Sequence, residues 1–179
     1  MVSSFPHDEL LGPVIETRDT CTDTINREDA ETFIELNKAM WKREKGWQKL
    51  AKGLYDKDFQ LYSNAVPSSF GGDINDQPVY KSRAEFVKEL ETRIPSTAKQ
   101  STVGFWVDCH ELIWLRRIGE VAGKSHFVTQ DMSVFSMQRT KAGSWQVKSA
   151  RVEYDSIPWG RALGGTYTPP PASKYEDLT

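Results

Sequence analysis

The stretch Gly46-Trp47-Gln48-Lys49-Leu50-Ala51-Lys52-Gly53-Leu54-Tyr55-Asp56-Lys57-Asp58-Phe59-Gln60-Leu61-Tyr62 changes its period part-way along. Trp47, Leu50, Ala51 and Leu54 recur at three and four, which lines one face of a helix. Asp58 to Tyr62 alternates instead and predicts a strand. Upstream, Phe33, Leu36 and Met40 continue the helical spacing, and Asn26 with Glu28 and Asp29 behind it is an N-cap followed by acids that complement the positive helix end. A first helix should begin near Arg27, break across 43–46 where Gly46 lowers helix propensity by about 1 kcal/mol, and give way to a shorter second one. Downstream, Ser63 to Pro78 holds two prolines, Gly71 and Gly72 and should be a long loop. Ser82 and Glu85 form a capping box ahead of Phe86, Val87 and Leu90, and Pro95 stops this third helix after Ile94. From Ser101 to Tyr154 the β-branched and aromatic content rises, with breaks near Arg117-Ile118-Gly119 and Lys141-Ala142-Gly143. That half predicts antiparallel sheet. The order of elements is α+β: N-terminal helices covering one face of a curved antiparallel sheet.

Composition sets the outer limits. The chain has 179 residues and a formal net charge of −2, one domain's worth of sequence without the basic footprint of a nucleic-acid binder. No run approaches a membrane-spanning length, and the opening MVSSFPHDELL lacks the basic start and apolar run of a signal peptide. A soluble, cytoplasmic protein is expected, with no nucleic-acid or membrane partner. Cys21 and Cys109 lie far apart without CxxC spacing, and the expectation is two free thiols. Residues 1–25 read as an acidic arm, 26–155 as a single domain, and 156–179 as a tail. The tail's glycines and its Pro169-Pro170-Pro171 run argue against helix or central strand, leaving a pocket flap carrying Trp159 and Tyr167 or a frayed end. Lys38, Lys42, Lys45, Lys49 and Lys52 would share one side if the helical register continued, either as a binding stripe or as the solvated face opposite the apolar one.

Several local segments carry a family likeness. Gly46-Trp47 through Tyr62 resembles the passage from long helix to short helix to first strand in the nuclear transport factor 2-like superfamily, in particular the SnoaL-like polyketide cyclases, scytalone dehydratase and small fungal meroterpenoid isomerases and cyclases. Tyr80-Lys81-Ser82-Arg83-Ala84-Glu85-Phe86 resembles the family's entry to its third helix, with Ser82 where glycine is usual. Gly143-Ser144-Trp145-Gln146-Val147 resembles its last hairpin. Gly123 to Phe127, Asp131 to Phe135 and Glu153 to Ser156 look most like the meroterpenoid group. The resemblance spans roughly residues 26–160 and implies a cone-shaped fold around a pocket. Departures block wholesale transfer of a mechanism: Gln100-Ser101-Thr102-Val103 stands where scytalone dehydratase has a catalytic histidine, Lys42 and Arg43 stand where its first helix ends in tyrosine and aspartate, and Ala150 stands where limonene epoxide hydrolases carry a carboxylate.

His110 and His126 are the histidines of the sheet half, and imidazole is the side chain best poised for proton transfer near neutral pH. Alternation groups His126 with Val128, Gln130, Met132 and Val134 on a face that looks like a pocket wall, in a register that one bulge would invert. Asp108 and His110 are either an acid orienting an imidazole along one strand face or the polar turn of a hairpin, the turn being favoured. Asp131 stands, by resemblance, where the meroterpenoid group has an acid, and Tyr62 where the family has a pocket tyrosine. On the last strand the apolar set Ala150, Val152 and Tyr154 should face the cavity and the ionic set Arg151, Glu153 and Asp155 the outside. No dinucleotide fingerprint, phosphate loop, nucleophile elbow or metal-spaced cluster is present in the sequence. The expected protein is a cofactor-independent isomerase, cyclase or dehydratase acting on a polyketide- or terpenoid-like molecule in secondary metabolism, without a metal. His126, Tyr62 and Asp131 would be catalytic, and Tyr55, Trp106, Gln130, Met132 and Val134 would bind substrate. A two-fold homodimer would cover the outer sheet face. The rival is a non-catalytic ligand-binding or association domain of the same fold.

Overall fold

A computed structural model of the protein describes residue 21 and residues 23–124 and 128–168. The element order is α1 (Arg27–Trp41), α2 (Trp47–Leu54), β1 (Tyr55–Tyr62), α3 (Ala65–Ser69), α4 (Arg83–Thr92), β2 (Gln100–Asp108), β3 (Glu111–Ile118), β4 (Thr129–Arg139), β5 (Trp145–Tyr154) and α5 (Ser156–Ala162). Asn26 caps α1 by accepting from the Asp29 amide at 2.8 Å, and Ser82 caps α4 by accepting from the Glu85 amide at 3.2 Å. The break between α1 and α2 takes two left-handed residues, Arg43 and Gly46. That break dissolves the lysine stripe, because α1 has ended before Lys42 and the register does not carry over. Arg43 donates to the carbonyls of Met40 and Leu90, tying the ends of α1 and α4 together.

The five strands form one sheet in the order β1-β5-β4-β3-β2. β2 through β5 are antiparallel neighbours, as expected, but β1 pairs with β5 in parallel, so the sheet is mixed. The parallel pair follows from chain path: β1 enters straight from α2, and the chain crosses through α3 and α4 before the antiparallel meander begins. Register shifts interrupt β2 between Thr102 and Gly104, β4 between Ser136 and Met137, and β1 between Tyr55 and Gln60. Such irregularities bend strands and wrap a sheet around its concave face. Phe33, Met40, Leu54, Phe59, Phe86, Leu112, Trp114, Phe135 and Val147 fill the space between helices and sheet.

Two expectations are corrected. Cys21 and Cys109 are joined in a disulfide with their Cα atoms 5.6 Å apart, so neither is a free thiol. Sequence distance concealed the pairing: Ile25 donates its amide to the Cys109 carbonyl at 2.9 Å, which lays residues 23–25 along the β2–β3 turn. Asp23 adds an ion pair to Arg139 at 2.8 Å, and its carbonyl meets His110 Nε2 at 2.9 Å. Asp108-Cys109-His110-Glu111 is accordingly the hairpin turn, with Cys109 at φ 54°.

The tail from Ser156 begins with a helix, where the sequence argued against one. Asp155 caps α5 by accepting from the Ile157 amide at 3.2 Å, and Pro158 falls in the first turn, where its missing N–H is not needed. Trp159 and Ala162 are buried with Ile118 and Val121 in a second apolar cluster, and Lys124 donates to the Ala162 carbonyl at 2.6 Å. No helix among the described residues is long and apolar enough to cross a membrane.

Candidate functional site

The concave face of the sheet encloses a cavity of about 60 Å³. Its walls are mostly rings and branched chains, among them Trp41, Tyr55, Phe59, Phe86, Trp114 and Phe135, with Ala150, Val152 and Tyr154 of β5 on one side. The apolar set of β5 therefore faces inward as its alternation predicted. The ionic set faces outward, and there Glu153 accepts from the amides of Asn64 and Ala65 at 2.8 and 3.0 Å, fixing the start of α3.

Arg116 and Asp131 break the apolar surface. They sit opposite one another on β3 and β4, both 3% exposed. Arg116 Nε donates to Asp131 Oδ1 and Oδ2 at 3.0 and 2.9 Å, Nη2 donates to Oδ2, and Nη1 donates to Gln100 Oε1 at 2.9 Å. Gln100 in turn donates to the Thr97 carbonyl at 2.6 Å. The guanidinium lies 4.9 Å from the ring centres of both Trp41 and Trp114. A cation so placed gains from ring quadrupoles as well as from the carboxylate, and both offset the cost of removing charges from water.

Ser133 and three phenols are the other polar groups of the lining. Burial pushes Tyr55 above its ordinary range, although the hydrogen bond from Asn37 Nδ2 at 2.9 Å and the charge of Arg116 pull the other way. Tyr80 and Tyr154 are each pushed up to about 12 by burial. All three remain protonated at neutral pH and so can donate to an oxygen.

The nominated residues divide by strand face. Asp131 and Tyr55 line the cavity. Gln130, Met132 and Val134 do not: inward positions on β4 are Thr129, Asp131, Ser133 and Phe135, the opposite register to that expected. Met132 is 49% exposed on the outer face, and Trp106, 58% exposed, lies outside opposite Ile113. Tyr62 is also on the outer side, its hydroxyl donating to Gln60 Oε1 at 3.0 Å and its ring 5.7 Å from the Arg151 guanidinium. The physical reason is that the inner face carries Thr, Asp and Ser, while Met132 and Val134 lie outside, so hydrophobicity alone selects the wrong side. His126 lies outside the described residues. Arg116 was missed altogether, though Arg116 next to Arg117, between Trp114 and Ile118, alternates as an inward cation would. Among the described residues no group of three potential ligands could hold a metal ion.

The curved mixed sheet and its helical cover have relatives. Residues 23–166 match the sequence pattern of the NTF2-like domain. The chain belongs to that family. No curated protein sequence matches it significantly. Among solved structures, a candidate SnoaL-like polyketide cyclase from Jannaschia sp. CCS1 is 14% identical with a TM-score of 0.56, over 83% of this chain and 100% of that one. Nuclear transport factor 2 from Cryptosporidium parvum is 8% identical with a TM-score of 0.50, over 72% and 93%. A candidate ketosteroid isomerase from Parabacteroides distasonis ATCC 8503 is 12% identical with a TM-score of 0.50, over 75% and 93%. At these identities the likeness is one of fold. The NTF2-like fold thus joins proteins named for catalysis with one named for transport.

Proposed function

We propose that this NTF2-like protein is a cofactor-independent isomerase, cyclase or dehydratase whose substrate is an apolar, polyketide- or terpenoid-like carbonyl compound of secondary metabolism. The observation that supports the reading is the Arg116–Asp131 pair exposed to an aromatic cavity and shielded from bulk water. A carboxylate there can accept a proton from carbon next to a carbonyl, and the adjacent guanidinium can stabilise the negative charge that develops on oxygen. Buried Tyr80 and half-buried Tyr154, kept protonated, suit the role of donors to that oxygen. His126 stays in the reading as a second proton carrier on the strength of the sequence.

Exchange of the α-protons of 2-pentanone in heavy water, followed by proton NMR, tests the reading. The wild type should accelerate exchange, and Asp131→Asn should reduce the acceleration by about 10²- to 10⁴-fold, the usual contribution of a general base. His126→Gln should do the same if that histidine carries the proton. Binding without any accelerated exchange would favour the rival, a non-catalytic ligand-binding domain. The saturation of Asp131 by Arg116 is the observation on that rival's side.

The outer sheet face supports a homodimer, with Val103, Trp106 and Met132 exposed on strands that a second copy could cover. The Cys21–Cys109 bridge supports folding in an oxidising compartment over the cytoplasmic location expected from the sequence.

A further inference from the structure

The cavity is small for the substrate class just proposed. Its 60 Å³ holds about two water molecules at roughly 30 Å³ each, whereas sites for drug-sized ligands run to about 300–1,000 Å³. A second hollow of about 470 Å³ lies next to it, between α3 and α4. The two share three wall residues: Val66, Phe70 and Tyr80. Phe70 is 50% exposed at this boundary, with the Arg93 guanidinium 5.3 Å from its ring centre. The hollow's remaining walls mix apolar Pro67 and Val79 with Glu85, Lys88, Glu89 and Arg93. Two acids against two bases leave that rim balanced, which selects for neither an anion nor a cation.

We propose that the binding site has two compartments divided by Phe70, and that its substrate is an elongated, uncharged molecule. The oxygen-bearing head sits over Arg116 and Asp131, and the apolar body passes Phe70 into the hollow between α3 and α4. This rests on the reading of the cavity as a carbonyl site. Phe70 is then a specificity-determining residue, the point where ligand length is sensed. The segment after it is built to let it turn: α3 ends at Ser69, and Gly71 follows at φ +69° with nothing near its missing Cβ. α3 itself is held by Glu153 and by the Ser69 Oγ contact to the Tyr154 hydroxyl at 3.0 Å, so motion at Phe70 need not displace the helix.

The test uses two methyl ketones, 2-pentanone and 2-undecanone, with binding measured by ligand-observed NMR and by quenching of the cavity tryptophans. A head group confined to the cavity gives 2-pentanone weak but saturable binding. Each methylene buried beyond it strengthens binding about fourfold, from about 0.8 kcal/mol per CH₂, so 2-undecanone should bind at least 100-fold more tightly. Gly72 lines the hollow and not the cavity, and a Cβ there makes only ordinary contact with Pro67 at 3.4 Å. Gly72→Trp should fill the hollow, weaken 2-undecanone at least tenfold and leave 2-pentanone within twofold. Phe70→Ala, the second variant, removes a wall common to both compartments and should change the ratio of the two affinities, with the larger change on 2-undecanone. Equal affinity for the two ketones, or a Gly72→Trp protein that binds both as the wild type does, overturns the two-compartment site while leaving the cavity reading standing. Failure of both ketones to bind the wild type overturns the cavity reading and this inference with it.

Discussion

On β4 the two faces of a single strand obey different rules. Its inner side presents Thr129, Asp131, Ser133 and Phe135, all buried, and its outer side presents Gln130 and Met132 to solvent with Val134 half-covered. Polar groups are inside because partners were supplied: Arg116 for Asp131, and for Thr129 the Asp155 carbonyl, which its hydroxyl reaches at 3.1 Å. Apolar groups are outside because burial within the chain was not required of them. The comparison teaches that alternation along a strand marks two faces but does not say which is the core. Where a site is built into the concave side, the more polar face can be the interior one.

Breaking the inner pair should have the largest effect. Asp131→Ala leaves the Arg116 guanidinium buried without its carboxylate, and one-sided removal of a buried ion pair costs about 3–5 kcal/mol. Met132→Ala, one residue away on the outer face, should cost well under 1 kcal/mol in the monomer because its side chain is already half in water. Urea unfolding of the two variants measures the contrast. Similar losses would mean that the strand faces are not distinct in energy. Arg116→Leu with Asp131→Leu should recover much of the stability, since a buried pair replaced by apolar side chains is often neutral or better.

The second effect compares the sheet's edge with its centre. The Cys21–Cys109 bridge closes a loop spanning 88 positions and fastens Cys21 to the β2–β3 turn. Cys109→Ser should therefore lower stability by about 2–4 kcal/mol. The loss should be reproduced in the wild type by a thiol reductant and be absent when reductant is added to the variant. An unchanged midpoint on reduction would show that the ion pair of Asp23 with Arg139 and the burial of Ile25 hold residues 23–25 in place without it.

These contrasts also explain what the sequence made legible. The helix starts at Asn26 and Ser82 were readable because capping is local chemistry, and Gly46 marked the break because a left-handed turn needs it. The inward set of β5 was readable because one of its faces is ionic. Asp131 was placed at the site by the family resemblance more than by pattern. The parallel β1–β5 pair, the disulfide and the Arg116–Asp131 pair are long-range facts, joining positions that no local window contains together. α5 was hidden for a related reason: its glycine and proline count argues against helix, and only the apolar cluster with Ile118 and Val121 stabilises it.

A smaller effect concerns the outer face itself. Trp106 is 58% exposed and Val103 is 56% exposed, which is a large apolar area to leave in water. If a second copy covers it, Trp106→Glu should halve the apparent mass in size-exclusion chromatography with light scattering. The unfolding midpoint of the dilute monomer should move little, because the substituted side chain packs on nothing inside. A wild type that is already monomeric at high concentration would remove the dimer from the reading and leave the patch for another partner.

The smallest effect separates the faces by titration. The inner-face phenols of Tyr80 and Tyr154 are held protonated to about pH 12 by burial, which raises that of Tyr55 as well. In the unfolded chain a tyrosine loses its proton near pH ~10. Between those values the unfolded state binds fewer protons than the folded one, so stability falls as pH rises. The contribution is fully present below about pH 10 and is lost on the way to about pH 12. Urea midpoints should therefore decline across that window, after being insensitive to these groups near neutrality. Tyr154→Phe should make the decline shallower, because its phenol can no longer ionise in the unfolded chain, and should lose little packing because only the hydroxyl contact to Ser69 goes. A decline of the same slope in the variant would mean that water reaches the Tyr154 hydroxyl, and that the concave face is less dry than proton transfer from carbon requires.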